Sequence, residues 1–144
     1  MSIPNLTPGM SGEEIMRQFV PASPFVGHLG MRLSDIQPDT ATLTLPFTPA
    51  LATMGTIVHG GAIATLIDTT AMAAAWAATD VPPNLRGTTV GLTVTYLAAA
   101  NNEDLQATAR VLRRGRSLVY LDVEVQGLSS GTLVAKGLVT YKLG

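Results

Sequence analysis

Hydrophobic and polar positions alternate along most of the second half of the chain. Val90, Leu92, Val94 and Tyr96 form one series and Leu105, Ala107, Ala109 and Val111 a second; Val119, Leu121, Val123 and Val125 follow, then Leu133, Ala135, Val139 and Tyr141. A period of two marks strands with one face buried. Earlier, Met31–Ile36 and Ala41–Phe47 flank Gln37-Pro38-Asp39, a turn sequence, and Ala41, Leu43, Leu45 and Phe47 share one face, which predicts a hairpin. Short turns at Ala100–Asp104, Arg114–Arg116 and Leu128–Gly131 predict antiparallel neighbours. Between the two groups, a long stretch opened by Gly60-Gly61 and closed by Asp80 and Pro82-Pro83 is apolar on every side, the pattern of a buried helix. Near the start, Ser11 followed by Glu14 has capping-box spacing and predicts a short helix from about Gly12 to Phe19, ended by Pro21 and Pro24. The order β-β-α-β-β-β-β implies an α+β fold in which an antiparallel sheet of about six strands curls round one helix. Cover for the rest of that helix must come from another subunit.

Composition narrows this picture. The chain has 144 residues, with no linker, repeat or low-complexity segment, and reads as one domain, 1–144, with 1–27 as an N-terminal helix and lead-in. Hydrophobic residues make up 47% and charged ones 13%, against roughly 25% charged in ordinary soluble domains. So apolar a chain is expected to hide surface in an oligomer. A net charge of -1 gives no footprint for nucleic acid or an acidic membrane. The absence of cysteine excludes disulfides, zinc thiolates and a cysteine nucleophile, and with only His28 and His59 no His-rich metal site is expected. The first residues lack the basic start and apolar run of a signal peptide, and the protein is read as cytoplasmic. Ala62–Thr79 is the one candidate membrane span, but it is rich in Ala and Thr, holds Asp68, and falls below the roughly 20 strongly apolar residues a bilayer requires.

The candidate chemistry lies in VHGGAIATLID, Val58–Asp68. An ionised carboxylate in an apolar helix costs several kcal/mol unless it is paired or reaches water, and no Lys or Arg occurs from Val58 to Thr79. Asp68 is therefore a candidate acid or base; the plainer alternative is a thin exposed stripe shared with Thr65 and Thr69, or a bond to a neighbouring hydroxyl. Gly60 and Gly61 mark the helix start, where backbone N–H groups lack acceptors and the macrodipole is positive. Glycine there lets a ligand approach the amide, which suits a carbonyl oxygen gaining charge; the plainer alternative is a tight entry turn, with His59 bonding to backbone. The eight positions from Gly60 to Asp68 span about 12 Å of helix, whereas groups acting on one carbonyl must lie within roughly 3 Å of it or of its attacking water. One helix cannot supply both. Two copies packed antiparallel about a two-fold axis can, which predicts a dimer whose sites each borrow from both chains.

These residues resemble a known family. HGG, six residues and Asp at the start of the central helix, followed by TVTYL and the RRGRSLVYLDVEV hairpin, is similar to the hotdog-fold acyl-CoA thioesterases of the phenylacetate-pathway (PaaI-like) type, over about Phe25 to Tyr141. The resemblance implies a hotdog fold and hydrolysis of an acyl-CoA thioester to carboxylate and free coenzyme A, with no metal or bound cofactor. It also implies a homodimer extended to a homotetramer of two dimers. It makes Asp68 the nucleophile or general base, the Gly60 amide the group that polarises the thioester carbonyl, His59 and Gly61 parts of that turn, and Thr89 a hydroxyl that orients Asp68 or water. Arg113, Arg114 and Arg116, with Gly115 and Ser117, put three of nine basic residues at one hairpin tip; guanidinium groups suit the phosphates of coenzyme A, although a solvated turn accounts for them equally. Two departures stand out. Thr53 occupies the place six before the His where the family usually has Asn, and Gly55 precedes His59 by four residues where three is common. A loop insertion and a weaker contact to the substrate carbonyl are expected.

Two rival readings differ in class. A non-catalytic acyl-CoA sensor on the same scaffold would tend to lose the acid, and Asp68 is present. A hotdog hydratase or dehydratase would pair His with an acid, which His59 and Asp68 permit but the HGG context opposes. A serine hydrolase of the G-x-S-x-G type and a phosphate-binding loop are both unsupported, since neither motif occurs.

Overall fold

The structure, a computed structural model, describes residues 9–78 and 81–144. Its elements are α1 (Gly12–Ala22), α2 (Pro24–Leu29), β1 (Arg32–Gln37), β2 (Thr40–Leu45), a 3-10 turn (Pro49–Leu51), β3 (Ala52–Met54), β4 (Ile57–Val58), α3 (Gly60–Trp76), β5 (Gly87–Tyr96), β6 (Leu105–Arg114), β7 (Leu118–Gly127) and β8 (Leu133–Leu143). Six strands form one antiparallel sheet in the order β1-β2-β6-β7-β8-β5, and β3 and β4 form a separate small ribbon. The hotdog arrangement expected from the sequence is what the chain adopts: α3 packs on β2, β6, β7 and β8.

The alternation explains the packing of β2, β6 and β7, whereas in β5 Val90, Leu92 and Tyr96, expected on a buried face, are exposed. Leu105, Ala107, Ala109, Val119, Leu121, Val123, Val125 and Ala135 are all turned inward and buried, as are Leu43 and Leu45. On α3, Ile63, Leu66, Ile67, Ala71 and Ala73–Ala75 fill the concavity. Its one buried polar side chain, Thr70, donates its hydroxyl to the Leu66 carbonyl at 2.6 Å. Helix and sheet approach closely at Gly137, where an added Cβ would stand 2.6 Å from Ile67 Cγ2. A stripe of half-buried residues on α3, Ala64, Thr65, Asp68, Thr69 and Met72, is left only partly covered.

Several expectations need correction. The Ala100–Asp104 turn does not make β5 and β6 neighbours: β5 pairs with β8, β6 pairs with β2 and β7, and β7 and β8 lie between them. The connection from Leu97 to Asp104 crosses roughly three strand spacings, about 14 Å, and is tied down on the way by Val58 N–H to the Ala100 carbonyl (2.9 Å) and Asn102 N–H to the Thr56 carbonyl (2.8 Å). Nor does Pro21 end the first helix. It sits in the last turn of α1, and the helix ends at Ala22 with Ser23 as its C-cap, whose N–H donates to the Phe19 and Val20 carbonyls. Pro24 instead opens α2, where its missing N–H costs nothing. The stretch from Pro49 to Val58, for which the sequence shows no regular pattern, contains the 3-10 turn and the β3–β4 ribbon. Finally, α3 ends at Trp76; Asp80, expected to close it, lies outside the described residues. Among the described residues no helix is long and apolar enough to cross a membrane.

Candidate active site

The β3–β4 ribbon delivers the chain to the start of α3. His59 N–H donates to the Leu51 carbonyl at 2.7 Å, which anchors the entry, and His59 is the helix N-cap. Its Nδ1 accepts the Gly61 N–H at 2.7 Å, so the neutral ring carries its proton on Nε2. The His59 carbonyl accepts from Ala62 at 3.0 Å and Ile63 at 3.2 Å. Of the four first-turn amides that a helix leaves without intrahelical acceptors, three are thereby satisfied. The fourth, Gly60 N–H, has no partner among the described residues. The Gly60 carbonyl accepts the Tyr96 hydroxyl at 2.7 Å, and an added Cβ at Gly60 would stand 3.3 Å from the Tyr96 ring. Glycine thus keeps this amide open and lets β5 close over the turn.

Two turns along α3, Asp68 is half-buried on the uncovered stripe. Both plainer readings of it hold geometrically: it shares that stripe with Thr65 and Thr69, and it bonds to a hydroxyl. The hydroxyl is that of Thr89 in β5, which donates to Asp68 Oδ1 at 2.6 Å. One carboxylate oxygen is fixed in this way, and Oδ2 has no bond of its own among the described residues. Met72, one turn further on, leads to a cavity of about 480 Å³ lined by Ile15, Met16, Phe19, Met72, Trp76 and Tyr141. Tyr141 is buried, which pushes its phenol above the ordinary value of 10.0, and the charge of Asp68 adds to the effect.

The remaining sequence candidates fall in separate places. Thr53 is exposed on β3, and Gly55, with φ of 57°, makes the tight turn to β4 that Gly-Thr then closes. Thr56 hydroxyl donates to Asn101, fixing the ribbon to the β5–β6 connection. Arg113, Gly115, Arg116 and Ser117, with Leu118 and Tyr120, line an open groove of about 540 Å³ at the β6–β7 tip. Arg114 does not share it. Its guanidinium turns back, giving Nη1 to the Ala75 carbonyl at 2.8 Å and Nη2 to Asp39 Oδ1 at 2.7 Å. Asp39 adopts φ of 63° at the β1–β2 turn and also pairs its backbone with Ala77 and Val111, so Arg114 clamps the C-terminal turn of α3.

Sequence reasoning missed Tyr96, Tyr141 and the α1 side chains of the cavity. For Tyr96 a signal existed, an aromatic ending the β5 alternation, but its tie to Gly60 depends on how β5 crosses the helix start. Tyr141 and α1 gave none, since each meets α3 only through the fold.

Comparison with known proteins places this geometry. The family model of the thioesterase superfamily matches residues 55–133, more than half of the chain and inclusive of both α3 and β5. Human acyl-coenzyme A thioesterase 13 is 35% identical over 92 residues, 63% of this chain. A putative esterase of Halobacterium salinarum is 31% identical over 114 residues, 77% of this chain and 75% of its own. Among solved structures, zebra fish thioesterase superfamily member 2 superposes with a TM-score of 0.77 at 25% identity, covering 94% of this chain and 99% of that one. The chain belongs to the thioesterase superfamily, in its hotdog-fold, PaaI-like branch. It spans 63% of the length of the acyl-coenzyme A thioesterase 13 sequences that it matches.

Proposed function

We propose that this protein hydrolyses acyl-CoA thioesters to carboxylate and free coenzyme A, in a site shared by two copies of the chain. The observation that carries this reading is the unpartnered Gly60 amide at the positive end of α3, on the same helix as a carboxylate held by Thr89. An amide N–H with no internal acceptor, at a helix N-terminus, is suited to an oxygen that becomes negative in a tetrahedral intermediate. Asp68, with Oδ1 occupied by Thr89, presents Oδ2 to take a proton from water or to attack the carbonyl carbon. In either route the C–S bond breaks as the oxyanion collapses, and coenzyme A leaves as the thiol.

The two groups are about 12 Å apart along one helix, so each site takes the amide from one protomer and Asp68 from its partner. The edge strand β5 supports such a dimer. Among the described residues its outer edge is unpaired, and Val90, Leu92, Tyr96 and, just beyond it, Leu97 are exposed; an uncovered apolar edge strand is a ready template for pairing with a second copy. Arg113 and Arg116 at the β6–β7 groove are assigned to the coenzyme A phosphates, and Thr53, exposed before the helix, to the neighbourhood of the thioester.

Thiol release from a panel of acyl-CoA thioesters tests the reaction. Steady release with wild type, lost in Asp68→Asn at unchanged fold, is the expected result. Hydration of an enoyl-CoA without thiol release would favour the hydratase, and tight binding with no turnover the sensor. Single turnover in oxygen-18 water separates the routes: label entering Asp68 marks direct attack, and label confined to the product marks general-base catalysis.

A further inference from the structure

We infer that Trp76, pinned by Tyr141, is the residue that limits acyl length, and that the cavity beginning at Met72, one turn beyond Asp68 on α3, takes a linear acyl group of about six to eight carbons. This rests on the proposed thioester hydrolysis and names the substrate class of that same site. Asp68, Met72 and Trp76 recur at i, i+4 and i+8 and therefore share one face of α3. Met72 and Trp76 line the 480 Å³ cavity together with Ile15, Met16 and Phe19 of α1, so its helical walls are hydrocarbon and aromatic. A thioester carbonyl at Asp68 would direct its acyl chain along this face toward Trp76.

Trp76 is held rather than free to swing. Its Nε1–H donates to the Tyr141 hydroxyl at 2.9 Å, and both residues are buried, at 6% and 4% exposure. The phenol fits because Gly87 stands opposite: a Cβ there would lie 2.3 Å from the Tyr141 hydroxyl oxygen. At the other side, α1 is pressed against the end of α3, since a Cβ on Gly12 would lie 1.6 Å from the Trp76 carbonyl oxygen. Eight positions of helix give about 12 Å from Asp68 to Trp76. An atom-to-atom contact at the indole takes about 4 Å of that. The remaining 8 Å accommodates about six carbons of an extended chain, whose bonds of about 1.5 Å advance somewhat less than their length. The cations Arg86 and Lys142 lie on the cavity lining too, which makes an acyl group ending in a carboxylate the competing class.

Two measurements test this, one independent of turnover. Trp76 is the only tryptophan, so its emission reports the cavity directly. In Asp68→Asn, octanoyl-CoA is expected to shift or quench that emission to saturation while coenzyme A alone leaves it unchanged. No response, or an equal one to coenzyme A, overturns the assignment even if the wild type hydrolyses thioesters. Conversely, a saturating response with no hydrolysis by the wild type leaves the cavity assignment standing and defeats the proposed reaction. In the second measurement, kcat/KM is followed from butanoyl- to hexadecanoyl-CoA, with octanedioyl-CoA included. Wild type should decline beyond about eight carbons, and Trp76→Ala should raise the ratio of dodecanoyl to octanoyl by about 10-fold or more. Trp76→Leu, which better keeps the packing of α1 on α3, should shift the ratio the same way by less. The same profile in wild type and both variants, a wild type indifferent to length, or a preference for octanedioyl over octanoyl would each overturn it.

Discussion

At the scale of single residues, function turns on which polar groups are already satisfied. At the first turn of α3 the Leu51 carbonyl takes the His59 amide, His59 Nδ1 that of Gly61 and the His59 carbonyl that of Ala62, and the one left over belongs to Gly60. Thr89 takes one oxygen of Asp68. Asp68→Asn is expected to keep the circular dichroism and melting temperature of wild type while kcat falls by about 10²- to 10⁴-fold; near-normal turnover would remove Asp68 from the chemistry. Thr89→Val removes one hydrogen bond of roughly 1.4 kcal/mol and should lower kcat by about 10-fold with little change in KM. Among the arginines the structure separates roles that the sequence could only group. Arg113→Ala and Arg116→Ala should raise KM for acyl-CoA and leave short thioesters lacking the nucleotide unaffected. Arg114→Ala should act instead on thermal stability, by roughly 1–2 kcal/mol, because its bond to the Ala75 carbonyl is partly shielded while its Asp39 partner is exposed. A melting temperature equal to wild type would contradict the clamp.

At the scale of elements, α3 against the sheet sets where the site residues stand. Gly137→Val should lower stability by about 1–3 kcal/mol, since the added methyls collide with Ile67 in a closely packed interface; chemical denaturation would register it. The β7–β8 turn depends on a charge. The Glu103 carboxylate accepts the N–H groups of Ser129 and Ser130 and the Ser130 hydroxyl, and these bonds hold its pKa below the ordinary 4.5. A carboxyl depressed in the folded state binds its proton more weakly than in the unfolded chain. Its contribution is therefore present above the ordinary value and lost as pH falls through the folded one. Melting temperature followed from pH 6 to pH 3 should fall less steeply in Glu103→Gln than in wild type. Parallel slopes would show that the carboxylate has no such role.

The elements were largely legible because their signals are local. Alternation at β6 and β7 and the largely apolar run of α3 each report which side of an element meets the core, and burial follows the alternation through β7 and, in β6, as far as Ala109. Pro21 misled because its cost is confined to one missing N–H, and the chain completes the turn around it, with Ser23 N–H capping Phe19 and Val20.

At the scale of the whole molecule, the proposed site draws on two copies of the chain. If β5 pairs with its counterpart across a two-fold axis, Leu92→Asp should yield a monomer in analytical ultracentrifugation and abolish thiol release together. A monomeric variant with full activity would rule out the shared site.

What the sequence determined by itself was the kind of element at most positions, the apolar helix with a carboxylate that no basic neighbour on it could pair, and a glycine-opened start to that helix. Those follow from periodicity and residue chemistry over a few turns of chain. Only the tertiary structure decided the strand order, which puts β8 rather than β6 beside β5, the inward turn of Arg114, the Tyr96 and Thr89 partners of the site, and the enclosure of Trp76 between α1 and Tyr141. Each of these is a contact between residues distant in the chain, and no local pattern records which distant surface will fold against which.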